Sequence, residues 1–137
     1  MLNTPSKRKS ELFASVKPLA SLSAVLLYLA EAGHDRLTIN QAAFFLLVAA
    51  ADARGRPLTL TEIMEKTDGI LGRSIVNSYK TLLEPHGRQA KDFALGWLTR
   101  EPDPDDERQK FLRLTEKGKS VAKAALMALG EGAYGEE

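Results

Sequence analysis

The chain contains no cysteine, which excludes disulfides, thiolate zinc sites and cysteine redox sensing together. Long hydrophobic runs are also missing. The apolar stretches Leu19–Ala30 and Ala42–Ala51 fall short of the roughly 20 residues needed to cross a bilayer. Lys7-Arg8-Lys9 is followed by Glu11 and Lys17-Pro18 rather than by a clean apolar core and cleavage site, so the reading is cytoplasmic, without a secretory signal. Charge of one sign is scarce too: the formal net charge is +1. No global basic field announces nucleic acid, and a DNA-binding surface would have to concentrate its cations on one face. No Ser-His-Asp order, Walker loop or dinucleotide fingerprint is present. His34 and His86 stand in loop signals without metal-ligand spacing and are expected to face solvent. Asp103, Asp105 and Asp106 lack the glycine and distal glutamate of a calcium loop. The expectation is a protein that is not an enzyme and needs no cofactor or metal.

What is present suits one domain of 137 residues, with 44% hydrophobic and 27% charged side chains. Residues 1–9 read as a polar tail, 10–129 as the folded domain and 130–137 as an acidic, glycine-containing tail. A first helix is predicted over Ser10–Ala32, with Pro18 kinking or restarting it and Leu22, Val25, Leu26 and Leu29 at helical spacing. Thr38 and Gln41 have capping-box spacing and open a second helix, apolar on nearly all sides and therefore central. Arg54-Gly55-Arg56-Pro57 stops it. Thr59 and Glu62 repeat the capping box and open a short third helix to Lys66, with Ile63 and Met64 inward. After the turn signal Asp68-Gly69, a fourth helix is predicted from about Arg73 to Glu84, ended by Pro85.

On that fourth helix, Ile75, Val76, Tyr79, Leu82 and Leu83 share one arc and are expected to dock on the core. The opposite arc carries Arg73, Ser74, Asn77, Ser78, Lys80 and Thr81, with no acid before Glu84. Arginine pairs two-pronged with guanine and asparagine with adenine, while serine, threonine and lysine take phosphates or bases. Any amphipathic surface helix has a polar face. The order of elements is what adds weight here: a capped helix, a glycine turn, an acid-free face and then a hairpin.

The hairpin is predicted as Trp97–Arg100 and Lys110–Leu114 around a tip holding Pro102, Pro104, Asp103, Asp105 and Asp106. A last helix follows over about Thr115–Leu129. The fold class expected is mainly α with a small β-hairpin, a winged helix-turn-helix. Asp106-Glu107-Arg108, followed by Leu114-Thr115-Glu116-Lys117-Gly118, resembles the wing signature of MarR-type transcriptional regulators: Asp-x-Arg, then Leu-Thr-x-x-Gly. Thr38–Leu47 and Ile70–Leu83 resemble that family's Leu-Thr-x-x-Gln helix and recognition helix. The resemblance covers roughly residues 37–125. It implies a homodimer on double-stranded DNA, acting as a repressor, with Arg108 in the minor groove and Asp106 orienting it. Arg100, Lys110 and Arg113, together with Lys80, are the expected phosphate ligands. It also implies a small aromatic ligand bound between the DNA-binding lobe and the dimer interface.

Two departures from the family pattern stand out. About nine residues are inserted before the wing, around Arg88–Leu95, which leaves the wing's placement against the fourth helix open. Only one C-terminal helix follows the wing. Its stripe Val121, Ala124, Ala125 and Leu129 and the Leu22–Leu29 stripe would either close the monomer or form the dimer seam. The alternative function is a winged-helix interaction module, in which Phe93, Leu95 and Trp97 contact a protein partner and DNA binding is weak or absent.

Overall fold

The computed structural model describes residues 16–34, 36–85 and 94–134. In chain order the elements are α1 (Val16–Ala32), α2 (Ile39–Ala53), β1 (Leu58–Thr59), α3 (Leu60–Lys66), α4 (Ile75–Ser78) continuing as a 3₁₀ turn (Tyr79–Leu82), β2 (Leu98–Asp103), β3 (Asp106–Leu114) and α5 (Glu116–Tyr134). The protein is mainly helical, with one small antiparallel sheet in the order β1-β3-β2. No helix among the described residues is long and apolar enough to cross a membrane.

The helix starts follow from local chemistry. Thr38 accepts the Gln41 amide on its hydroxyl (3.0 Å) while Gln41 Oε1 accepts the Thr38 amide (2.8 Å), so two otherwise orphaned donors are satisfied. Thr59 and Glu62 do the same for α3. α2 ends in a Schellman arrangement: Gly55, with φ +78°, donates to Asp52 O, and Arg56 donates to Ala51 O. Pro18 is the third residue of α1 and does not interrupt it, since an amide there has no helical acceptor to lose. Tyr134 extends α5 beyond the expected Leu129, over part of the segment read as a tail.

α2 is the hub. Its Ala42, Phe44, Phe45, Val48 and Ala51 are buried. Phe45 packs on Trp97 with ring centroids 4.9 Å apart, and Phe44 on Tyr79 at 5.3 Å. Leu29 of α1, Ile63 of α3, Ile75 and Leu82, Leu98 and Leu112 of the sheet, and Val121 and Ala125 of α5 close the same core. α1 and α5 share the most extensive helix–helix packing.

Several expectations are corrected. The fourth helix is one α turn followed by a 3₁₀ turn, and it ends at Leu82 rather than Glu84. Val76 is exposed, because the buried line is Ile75, Tyr79 and Leu82, one turn apart each time. The connection from α3 to α4 is not a single tight turn. It covers residues 67–74, where Asp68 (φ 55°), Gly69 and Gly72 all take left-handed backbone. The hairpin is longer than expected, and the paired residues Asp103 and Asp106 leave only Pro104-Asp105 to make the turn. Pro102 therefore belongs to β2, and β2 is an edge strand, where a missing amide is tolerated. β1, which has no prediction in the sequence, adds to β3 through Leu58 opposite Leu112. His34 is half-buried rather than solvent-facing, and its Nδ1 accepts the Arg36 amide (3.1 Å).

Candidate nucleic-acid interface

Arg73 at the end of the α3–α4 connection, Asn77 of α4 and Lys80 of the 3₁₀ turn are all exposed. Ser74 and Val76 are also exposed. Ser78 and Thr81, the other two expected contact residues, are half-buried, and their carbonyls are engaged. Ser78 O accepts Gln41 Nε2 (2.8 Å), and Thr81 O accepts the Leu95 amide (2.8 Å).

The hairpin is fixed to this segment by backbone hydrogen bonds on either side of residues 86–93, which lie outside the described residues. Besides the Thr81–Leu95 bond, the Trp97 amide donates to Leu82 O (2.8 Å), the Gly96 amide to Leu83 O (3.1 Å), and the Glu84 amide to Leu98 O (3.0 Å). Leu83 and Leu98 pair as a parallel bridge. The carbonyls a helix leaves unpaired at its end are thus used to register the hairpin against it. Residues 81–84 and 95–98 are thus held side by side, which sets the hairpin's base against the 3₁₀ turn. Arg88 and Phe93 lie outside the described residues, and Leu95 and Trp97 are buried core residues rather than partner contacts. Trp97 is fully buried, with its ring against Phe45 and close to Gly33.

Gly118 explains the final glycine of the Leu-Thr-x-x-Gly sequence. A Cβ there would overlap the Trp97 carbonyl, so only glycine lets α5 start this close to the hairpin base. Thr115 completes the junction. Its hydroxyl donates to Gly96 O (2.6 Å) and accepts the Gly118 amide (2.9 Å), and its own amide donates to Trp97 O (3.0 Å). The motif is architectural: it clamps the hairpin's two ends to α5.

Along the hairpin, strand alternation puts Arg100 and Lys110 on one face of the sheet. With Leu83, Glu84 and Thr99 they line a cleft of about 170 Å³ between the end of the 3₁₀ turn and the strands. The register breaks between Pro102 and Asp103, and beyond the break Arg108 is 92% exposed. Asp106 reaches Arg108 twice, accepting its amide on Oδ1 (3.1 Å) and lying 3.6 Å from its Nε. Asp103 Oδ1 accepts the Asp105 amide (2.8 Å). Two of the tip acids are therefore committed to local bonds.

Arg113, expected to hold phosphate, is paired with two carboxylates instead. Its Nε donates to Asp52 Oδ1 (2.7 Å) and its Nη1 to Glu101 (3.1 Å), while Asp52 Oδ2 accepts the Leu114 amide (2.8 Å). The Asp52 side chain is only 6% exposed, so it holds the end of β3 to the end of α2 from within. No local pattern in the sequence marks this pair, whose members are 61 residues apart.

Away from this face, a cavity of about 670 Å³ opens between α1, α2 and α5, lined by Leu22, Val25, Leu46, Ala122 and Leu126 with Arg113 and Lys123 at its polar edge. Leu19, Leu22, Leu26 and Leu27 of α1 and Leu126 and Met127 of α5 are exposed, although Leu29, Val121 and Ala125 close the monomer core. Among the described residues, no group of three or more histidine or acidic side chains could hold a metal ion. No family model, curated protein or solved structure matches the chain.

Proposed function

We propose that this protein is a sequence-specific, double-stranded-DNA-binding transcriptional regulator of the MarR-like winged helix-turn-helix kind, acting in the cytoplasm. The observation that carries the reading is a set of exposed cations on two elements that backbone hydrogen bonds hold side by side. Arg73 just before α4, Asn77 and Lys80 are exposed, Arg100 and Lys110 line the adjoining cleft with Glu84, and Arg108 stands at the hairpin tip, with Asp103 and Asp106 tied up locally. In this reading the α4–3₁₀ segment enters the major groove, where Arg73 and Asn77 take base edges and the exposed Val76 meets a thymine methyl. Lys80, Arg100 and Lys110 take phosphates, and Arg108 enters the minor groove.

The exposed leucines of α1 and α5 support a homodimer that presents two such surfaces to a pseudo-palindromic site. The apolar cavity next to them supports a small aromatic ligand there, since its volume falls in the range of small-molecule sites. The protein-module alternative loses its main support, because Leu95 and Trp97 are spent on the core.

The test is selection of duplexes from a randomised library, followed by binding to the enriched duplex at several salt concentrations. Affinity is expected to fall steeply with salt, and Asn77→Ala is expected to relax base preference at one position. Absence of binding at low salt overturns the proposal.

A further inference from the structure

The segment carrying Arg73, Asn77 and Lys80 changes from α to 3₁₀ form at Ser78. At that residue a side chain from another helix intervenes. Gln41, buried in the first turn of α2, donates its Nε2 to Ser78 O (2.8 Å), the carbonyl a continuous α-helix would offer to Leu82. Insertion of an outside donor into the carbonyl ladder is a recognised cause of helix irregularity. Downstream, the Leu83 amide reaches back only three residues, to Lys80 O (3.1 Å). The adjacent Asn40 donates its Nδ2 to Leu71 O (3.0 Å), so the first turn of α2 grips the chain on both sides of Arg73–Asn77.

We infer that Gln41 is a positioning residue for DNA reading: by capturing the Ser78 carbonyl it holds the contact segment in its α-then-3₁₀ form and so sets where Lys80 meets DNA relative to Asn77. The inference rests on the proposed DNA-binding function. Its geometric consequence is mainly a rotation. Two residues, Tyr79 and Lys80, in 3₁₀ rather than α form advance the chain by about 1 Å more and turn it by roughly 40° more by the time it reaches Lys80. The carbonyl of Gln41 is occupied separately, accepting the Thr38 amide in the capping box (2.8 Å), so the two halves of one amide cap α2 and clamp the contact segment.

That division makes the roles separable. Gln41→Glu keeps the acceptor for Thr38 and removes the donor to Ser78, Gln41→Met removes both, and Thr38→Ala weakens the cap while leaving the donor. Each is measured against a duplex enriched by the wild-type protein and against a scrambled duplex, with the ¹³C shift of the Ser78 carbonyl recorded without DNA. Both Gln41 variants should lower the specific-to-scrambled affinity ratio about tenfold, keep the salt slope, and move the Ser78 shift. Thr38→Ala should lower the melting temperature and leave the ratio and the shift in place. A ratio retained in both Gln41 variants, or lowered as much by Thr38→Ala, overturns the positioning role. An unmoved Ser78 shift overturns the clamp itself. Wild-type protein that binds no DNA overturns the functional reading instead, and the carbonyl shift still reports on the clamp.

Discussion

At the base of the hairpin, Trp97, Leu98 and Leu112 are buried, and Thr115, Gly118 and Trp97 are bound to one another within a few ångströms. At the tip, some 20 Å away if six strand residues separate them at about 3.3 Å each, Arg108 is almost wholly exposed and its neighbours bond only locally. The two ends belong to one short stretch of sequence, and both carry parts of the same resemblance. They are built for different purposes. The base is over-determined by close approach and paired amides, and a change there should unfold the protein. The tip has little to lose in folding, and a change there should register only in binding.

Gly118→Ala is the strongest way to break this contrast. The added methyl meets the backbone carbonyl of Trp97, which cannot swing aside as a flexible side chain could. A loss of about 3 kcal/mol or more is expected from overpacking, against which alanine's better helix propensity returns only about 1 kcal/mol. The urea midpoint measures it. A variant as stable as the parent would mean that α5 does not approach the base so closely.

Asp52→Ala asks whether the far end of β3 is held as firmly. It leaves the Leu114 amide without its acceptor and Arg113 without its best partner, for a cost of roughly 2 kcal/mol. Arg113→Ala should cost less, about 1 kcal/mol or under, because the Arg113 side chain is 38% exposed and its pairs are partly screened. Neither should alter DNA affinity beyond its effect on the folded population. A stable Arg113→Ala protein with weakened DNA binding would return Arg113 to the contact face.

Much of the architecture could be read from local sequence. Both capping boxes, the Gly55 stop and the central burial of α2 are local patterns, and each is present. What could not be read is non-local. The fourth helix has the periodicity of a longer α-helix, but its Ser78 carbonyl is claimed from 37 residues away. Arg113 looks like any strand cation until Asp52 is brought to it. Leu95 and Trp97 stand in what reads as an insertion, and only the backbone pairing of Thr81–Glu84 with Leu95–Leu98 shows that the excursion has already closed before them. The surface proposed to contact DNA was legible only as a set of exposed side chains. The exposure of Arg73, Asn77 and Lys80 matches the expected polar arc, whereas Ser78 and Thr81 are half-buried and their carbonyls are taken by Gln41 and Leu95.

Arg108→Ala tests the tip under the proposed function. Its effect on stability should stay within about 0.5 kcal/mol, as for most exposed substitutions. Its effect on DNA should be about tenfold in affinity, the scale of one good groove contact. Thermal melting and fluorescence anisotropy read the two separately. A melting shift as large as that of Asp52→Ala would erase the distinction between base and tip.

The smallest effect is expected at Asp106, where two influences oppose each other. Asp106→Asn keeps an acceptor for the Arg108 amide but removes the charge beside the guanidinium. That exposed pair, at 3.6 Å, is worth on the order of 0.2–1 kcal/mol of orientation. The same substitution removes a negative charge from a surface proposed to face phosphates, which favours binding most at low salt, where the screening length is about 30 Å at 0.01 M against about 8 Å at 0.15 M. Affinity should therefore fall by about twofold near physiological salt and recover or rise as salt is lowered, giving a steeper salt slope than the parent. Anisotropy titrations across that range check it. A loss equal to that of Arg108→Ala at every salt concentration would make the brace indispensable, and the tip would then be as tightly organised as the base.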